Sequence, residues 1–257
     1  MGSPLFFNLF GMLYCMKKPI SRLQPIVHRR KGKIRAQKVF MMNIFRQLFG
    51  RIKLKLRGKN RVVGWSMTPD QARAFFIRQQ KTVLTLFGFS SGYEDEAGML
   101  QRVREILAKY SPGTTLVNIG ATRGGIGAAY PLAKSLGFQT TGIVSSQALD
   151  YLDKISKSVD DVCFIADDQW GGKLPDSEEL SATSAAMVAC SDILVALGGN
   201  DICLDELQAG RELGKPIYFY PAEVDHAWAV RRAEYLGQPK PDSFWGKAHE
   251  VFAKKEK

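Results

Sequence analysis

Several chemistries are excluded by what this sequence has little of. Its four cysteines, Cys15, Cys163, Cys190 and Cys203, form no CxxC pair, and the last three lie in or beside apolar segments. That is the pattern of reduced core thiols, not of a disulfide frame or a zinc site. Its three histidines, His28, His226 and His249, are scattered, and none borders a glycine-rich turn. A zinc centre or a Ser/His/Asp triad is therefore not expected, and no metal or cofactor is assigned. The apolar run at residues 4–16, PLFFNLFGMLYCM, has 13 residues, short of the roughly 20 that span a bilayer. With no positive segment ahead of it and no small-residue cleavage pattern behind it, it does not read as a secretory signal either.

Acidic residues are missing altogether from residues 1–69, which hold 16 Lys or Arg, whereas from Asp70 onward 20 basic residues stand against 25 acidic ones. The formal charge of +11 thus belongs to an arm, and the remainder is mildly acidic. A basic arm points to an anionic surface, lipid or nucleic acid, met by residues 1–60 outside any binding site. Met16, Met41 and Met42 are alternative starts, and residues 1–41 read as a basic arm, either disordered or outside the native protein. The acid-free stretch 17–38 shares its composition with mitochondrial transit peptides. The expected location is cytoplasmic, or mitochondrial if the source is eukaryotic and this stretch is such a peptide. From Met42, Ile44, Phe45, Leu48, Phe49 and Ile52 fall at helical spacing among Arg46, Arg51, Lys53 and Lys55. Such a helix either lies on an anionic membrane or packs on the domain, and residues 42–80 read as this helix with a linker.

From residue 81 strand-type and helical runs alternate. Strands are expected at 82–87, 116–119, 140–144, 162–166, 193–197 and 216–220, and helices at 94–110, 126–136, 147–157, 177–189 and 202–213. Six alternations specify an α/β, Rossmann-like, doubly wound parallel sheet with helices on both faces, here residues 81–222. Residues 223–257 read as a helical tail that packs on the domain or supplies a dimer contact.

In such a sheet ligands bind outside the carboxyl ends of the strands, and three glycine-rich turns fall there. They are Gly88 to Gly92 with Ser90 and Ser91, then Gly120 to Gly127 with Arg123, Gly124 and Gly125, then Gly198, Gly199, Asn200 and Asp201. Each lets backbone amides approach an anion ahead of a helix N-terminus. None ends in GK[ST], and GATRGGIG spells GxxxGGxG, so neither a Walker A loop nor a dinucleotide fingerprint is present. Ser90 and Ser91 bond a phosphate or cap the next helix, and Trp170 stacks on a base or packs as a lid. Asp201, Asp205 and Glu206 serve the helix start or contact a ligand.

The order GFSS, then GATRGGIGAAYPLAKSLGFQTTGIV, then MVACSDILVALGGNDICLDEL resembles the SLOG superfamily over residues 83–221. Its members include the Lonely-guy-type phosphoribohydrolases, also called lysine decarboxylase-like proteins. The resemblance implies a nucleoside monophosphate ligand and, in the enzymes, hydrolysis of the N-glycosidic bond to free base and ribose 5-monophosphate. Met187 to Asp192 matches the family's M-x-x-x-S-D, and Gly198 with Gly199 matches its paired glycines. The family's glycine–threonine falls on Asp201 and Ile202, its glutamate on Asp205, and its arginine on Thr183, with Arg123 available to replace that arginine. The resemblance therefore implies a protein that binds a nucleotide or nucleotide-derived molecule without efficient hydrolysis. The alternative is a phosphoribohydrolase using Asp205 or Glu206, and a third reading is an adaptor working through the basic arm. SLOG enzymes are commonly dimeric, which makes a homodimer the expected assembly.

Overall fold

The structure, a computed structural model, describes residues 63–253. The arm of residues 1–41, the basic helix from Met42 and the surface contact of residues 1–60 lie outside the described residues. Strands β1 (Val63–Met67), β2 (Thr82–Gly88), β3 (Thr115–Ile119), β4 (Gln139–Ser145), β5 (Asp161–Ile165), β6 (Ile193–Leu197) and β7 (Ile217–Tyr220) form one sheet in the order β1-β5-β4-β3-β2-β6-β7. Every pairing in it is parallel. The six strands expected from the sequence are β2 to β7. The seventh, β1, with helix α1 (Pro69–Gln79), lies in the stretch read as linker up to residue 80. Its five residues, VGWSM, alternate half-buried and buried positions and carry no continuous apolar run. Pairing with β5, and not local pattern, makes them a strand.

The helices start where side chains satisfy free backbone amides. Thr68 and Gln71 form a reciprocal capping box ahead of α1, with Pro69 at the first helical position. Asp95 accepts from Gly98 N at 2.8 Å at the start of α2 (Glu96–Leu107). A 3₁₀ turn, Gly125–Ala128, leads into α3 (Ala129–Ser135). Ser181 caps α4 (Ala182–Cys190), α5 is Asp201–Glu212, and Asp225 caps α6 (His226–Tyr235). The last helix is α7 (Lys247–Phe252). Two expected helices differ. The segment at 147–157 is a 3₁₀ stretch, Ser146–Lys154, kinked at Tyr151, and the helix at 177–189 begins only at Ala182. Residues 167–181 form a loop there, turned by Gly171 and Gly172 at positive φ.

The central strands are buried on both faces, which is why they read as unbroken apolar runs. Leu84, Leu86, Val117, Ile119, Phe164 and Val195 face α2, α3 and the Ser146–Lys154 stretch. Val83, Phe87, Leu116, Ile143, Cys163 and Leu194 face α1, α4, α5 and α7. Each fully buried Leu or Phe contributes roughly 1.5–3 kcal/mol of burial free energy. From β2 the chain moves outward through β3 and β4 to β5, then returns to lay β6 against the other side of β2. The winding direction therefore reverses between β2 and β6, and a crevice opens at their carboxyl ends.

Candidate functional site

A cavity of about 170 Å³ occupies that crevice. Its floor is the ends of β2, β3 and β4, with Gly88, Phe89, Ser90, Ser91, Gly120 and Val144; its walls are Thr183 and Met187 of α4 and Ile202, Cys203 and Glu206 of α5. Trp170 and Trp228 close its sides. The lining is apolar with a few polar groups, the usual composition of a small-molecule site.

Two buried tyrosines fix the turns beneath it. The Tyr93 hydroxyl donates to Leu197 O at 2.9 Å and accepts from Phe89 N at 3.1 Å, tying the end of β2 to the end of β6 at the switch point. A Cβ on Gly88 would strike that hydroxyl, so the close approach requires glycine. The Tyr130 hydroxyl donates to Thr141 O at 2.8 Å and accepts from Ala121 N at 3.1 Å, holding the β3 turn against β4. Burial raises the pKa of both phenols, so both remain protonated donors.

Glu206 is the acid of the cavity. It is 5% exposed, and burial pushes its carboxyl up to about 8, with neighbouring Asp205 adding to the rise and the Ser184 hydrogen bond opposing it. At neutral pH it is mostly a neutral acid. Ser184 Oγ donates to Glu206 Oε1 at 2.6 Å and accepts from Gly172 N at 2.7 Å. One residue earlier in α5, Asp205 Oδ2 accepts from Lys173 N at 3.0 Å. Adjacent acids of α5 therefore hold consecutive amides of the 167–181 loop, Asp205 directly and Glu206 through Ser184. Thr183 N donates to Asp167 Oδ2 at 2.6 Å, which fixes the residue, yet its own Oγ1 is buried without a hydrogen-bond partner. Buried hydroxyls are rarely left so.

Of the residues singled out in the sequence, Gly88, Ser90, Ser91, Gly120, Trp170, Thr183, Met187, Asn200, Ile202 and Glu206 line the cavity. The others lie elsewhere, for physical reasons. Gly125, with φ +55°, and Gly127 press against the carbonyls of Phe89 and Thr122, where a Cβ would collide, and serve turn-to-turn packing. Gly124 sits beside Ser90 O, and Gly198 and Gly199 turn the chain between Phe89 and Cys203. Arg123 is exposed and outside the lining. Asp201 is exposed in the first turn of α5. Asp205, expected to act on a ligand, is outside the lining and accepts Lys173 N through Oδ2. Trp170 both lines the cavity and packs on the core beside Tyr151, ring centroids 6.0 Å apart.

Sequence reasoning missed Tyr93, Tyr130, Ser184 and Trp228. Only Tyr93 carried a local signal, an aromatic just past a glycine–serine turn. Cys203 lines the cavity, but burial raises its thiol, as it does those of Cys163 and Cys190, so none is a ready nucleophile. Among the described residues no group of three or more His, Cys, Asp or Glu could hold a metal ion. Among the same residues no helix is long and apolar enough to cross a membrane.

No family model and no curated protein matches the chain. Solved structures do. The Moco carrier protein from Chlamydomonas reinhardtii is similar over 60% of this chain and 84% of its own, at 17% identity and a TM-score of 0.40. TM1055, a structural genomics target, is similar over 53% of this chain and 72% of its own, at 17% identity and a TM-score of 0.38. DNA processing protein A from Streptococcus pneumoniae is similar over 67% of this chain and 62% of its own, at 12% identity and a TM-score of 0.38.

Proposed function

We propose that the cavity at the carboxyl ends of β2, β3 and β4 binds a nucleotide or nucleotide-derived small molecule in the SLOG manner and holds it without efficient hydrolysis. The observation that carries this reading is the pairing of a buried, unpartnered Thr183 hydroxyl with a buried Glu206 carboxyl at the switch point. Polar groups desolvated at a cost in the wall of an apolar crevice are the polar fixtures of a ligand site. A thermal-shift panel of nucleosides, nucleotides and dinucleotides tests it: at least one compound raises the melting temperature, and a panel with no effect contradicts it.

Hydrolysis is the weaker reading because of where the acids stand. Cleavage of an N-glycosidic bond passes through an oxocarbenium-like centre, and glycoside hydrolases commonly share the work between two carboxyl groups. Glu206 is the one acid among the lining residues, and Asp205 is engaged with the loop. A chromatographic assay for released base decides: no release above that of the Glu206→Gln variant is the expected result. Release that the variant abolishes would restore the enzyme.

A further inference from the structure

We infer that the part of the ligand inserted into this cavity is an uncharged nucleoside, its base read by Glu206 and Thr183 and its ribose by Ser90, Ser91 and Asn200. The inference rests on the reading above and narrows it from nucleotides to nucleosides.

The lining decides the charge. No lysine, arginine or histidine is among the lining residues. Thr183, where the resemblance places a family arginine, supplies a neutral hydroxyl. Arg123, the cation available to replace that arginine, is exposed and outside the lining. At the start of α5, Asp201 is an acid in the first turn, and Asn200 makes no side-chain cap bond. A phosphate moved into an apolar crevice without a cation loses its hydration and gains no counter-charge.

The polar groups that are present suit a neutral ligand. Thr183 is 3% exposed, and its Oγ1 has no partner. Thr183 and Glu206 both line the cavity, and Ser184 occupies only Oε1 of Glu206, which leaves a hydroxyl and a second carboxyl oxygen to a ligand. That is the edge pattern of a heterocycle with an acceptor beside a donor. Phe89, Trp170 and Trp228 offer aromatic surface to a planar ring. Toward the rim, Ser90, Ser91 and Asn200 provide hydroxyl and amide groups that match ribose hydroxyls and carry no charge.

Isothermal titration of the full chain with adenosine, guanosine, cytidine and uridine and with their 5'-monophosphates tests this directly. At least one nucleoside is expected to bind as tightly as its monophosphate or tighter, with an affinity that changes less than about threefold between low and high salt. Thr183→Val is expected to weaken that nucleoside about tenfold while leaving the melting temperature of the free protein unlowered. A monophosphate bound at least tenfold tighter than its nucleoside overturns the inference and leaves the nucleotide reading standing. Absence of binding by every nucleoside and monophosphate overturns both. A nucleoside affinity unchanged in Thr183→Val removes the assigned base contact.

Discussion

At the scale of single residues, Glu206 couples the cavity to stability. Its carboxyl titrates near 4.5 when solvated and is pushed up to about 8 by burial in the fold. Between those values the folded state binds a proton that the unfolded state has released, so stability falls as pH rises from about 4.5 and levels off above about 8. The swing is on the order of 5 kcal/mol by the usual conversion of a pKa shift. Glu206→Gln keeps the shape of the neutral acid and cannot ionise. Denaturant melts of the two proteins across pH 4 to 9 are expected to coincide at the acid end, diverge progressively from about pH 4.5 and run parallel above about pH 8, with the variant more stable; curves parallel throughout would contradict a buried titrating acid. Tyr93 offers a second test. Replacing it with Phe leaves Phe89 N and Leu197 O without the hydroxyl between them, at a cost of about 1–3 kcal/mol for unsatisfied buried groups. A loss below about 0.5 kcal/mol in the same melts would mean that the tie across the switch point is not needed.

At the scale of elements, the informative unit is the 167–181 loop with α4 and α5. Three hydrogen bonds tie it to these two helices: Lys173 N to Asp205, Gly172 N to Ser184, and Thr183 N to Asp167. Asp205→Ala removes the first, and with it about 1–2 kcal/mol for a charge-assisted bond that is half-buried. Hydrogen exchange is expected to quicken at residues 170–175 and to stay unchanged in β2 and β3. Uniform acceleration across the sheet, or none in the loop, would contradict a positioning role for Asp205.

This loop also marks how far the sequence could be read. The strands that became β2 to β7 and most helices are legible because they follow apolar periods and local caps. The loop's own structure is not, because Ser184 meets Glu206 across 22 residues and Lys173 meets Asp205 across 32. Contacts of that separation leave no spacing in the chain to find. The edge strand β1 is hidden for a related reason, since its partner β5 lies about a hundred residues away.

At the scale of the whole molecule, the return of the chain from β5 to β6 places three glycine-rich turns, read as one group in the sequence, around one cavity. Their grouping is legible because glycines cluster at strand ends. Their division of labour is not, because Gly88 and Gly120 at the cavity look no different in sequence from Gly125 and Gly127, which hold the turns together. Gly120 provides the direct test of the site. It lines the cavity, and a Cβ added there meets nothing within 4 Å, so a longer side chain can enter the space without straining the backbone. Calorimetric titration of the nucleoside and nucleotide panel into the native chain and the Gly120→Leu variant is the measurement to make. The expected result is heat of binding from at least one compound with the native chain, and its loss in a variant that still melts cooperatively. Equal binding by both proteins would place the ligand site elsewhere, and binding by neither would contradict a nucleotide-type ligand altogether.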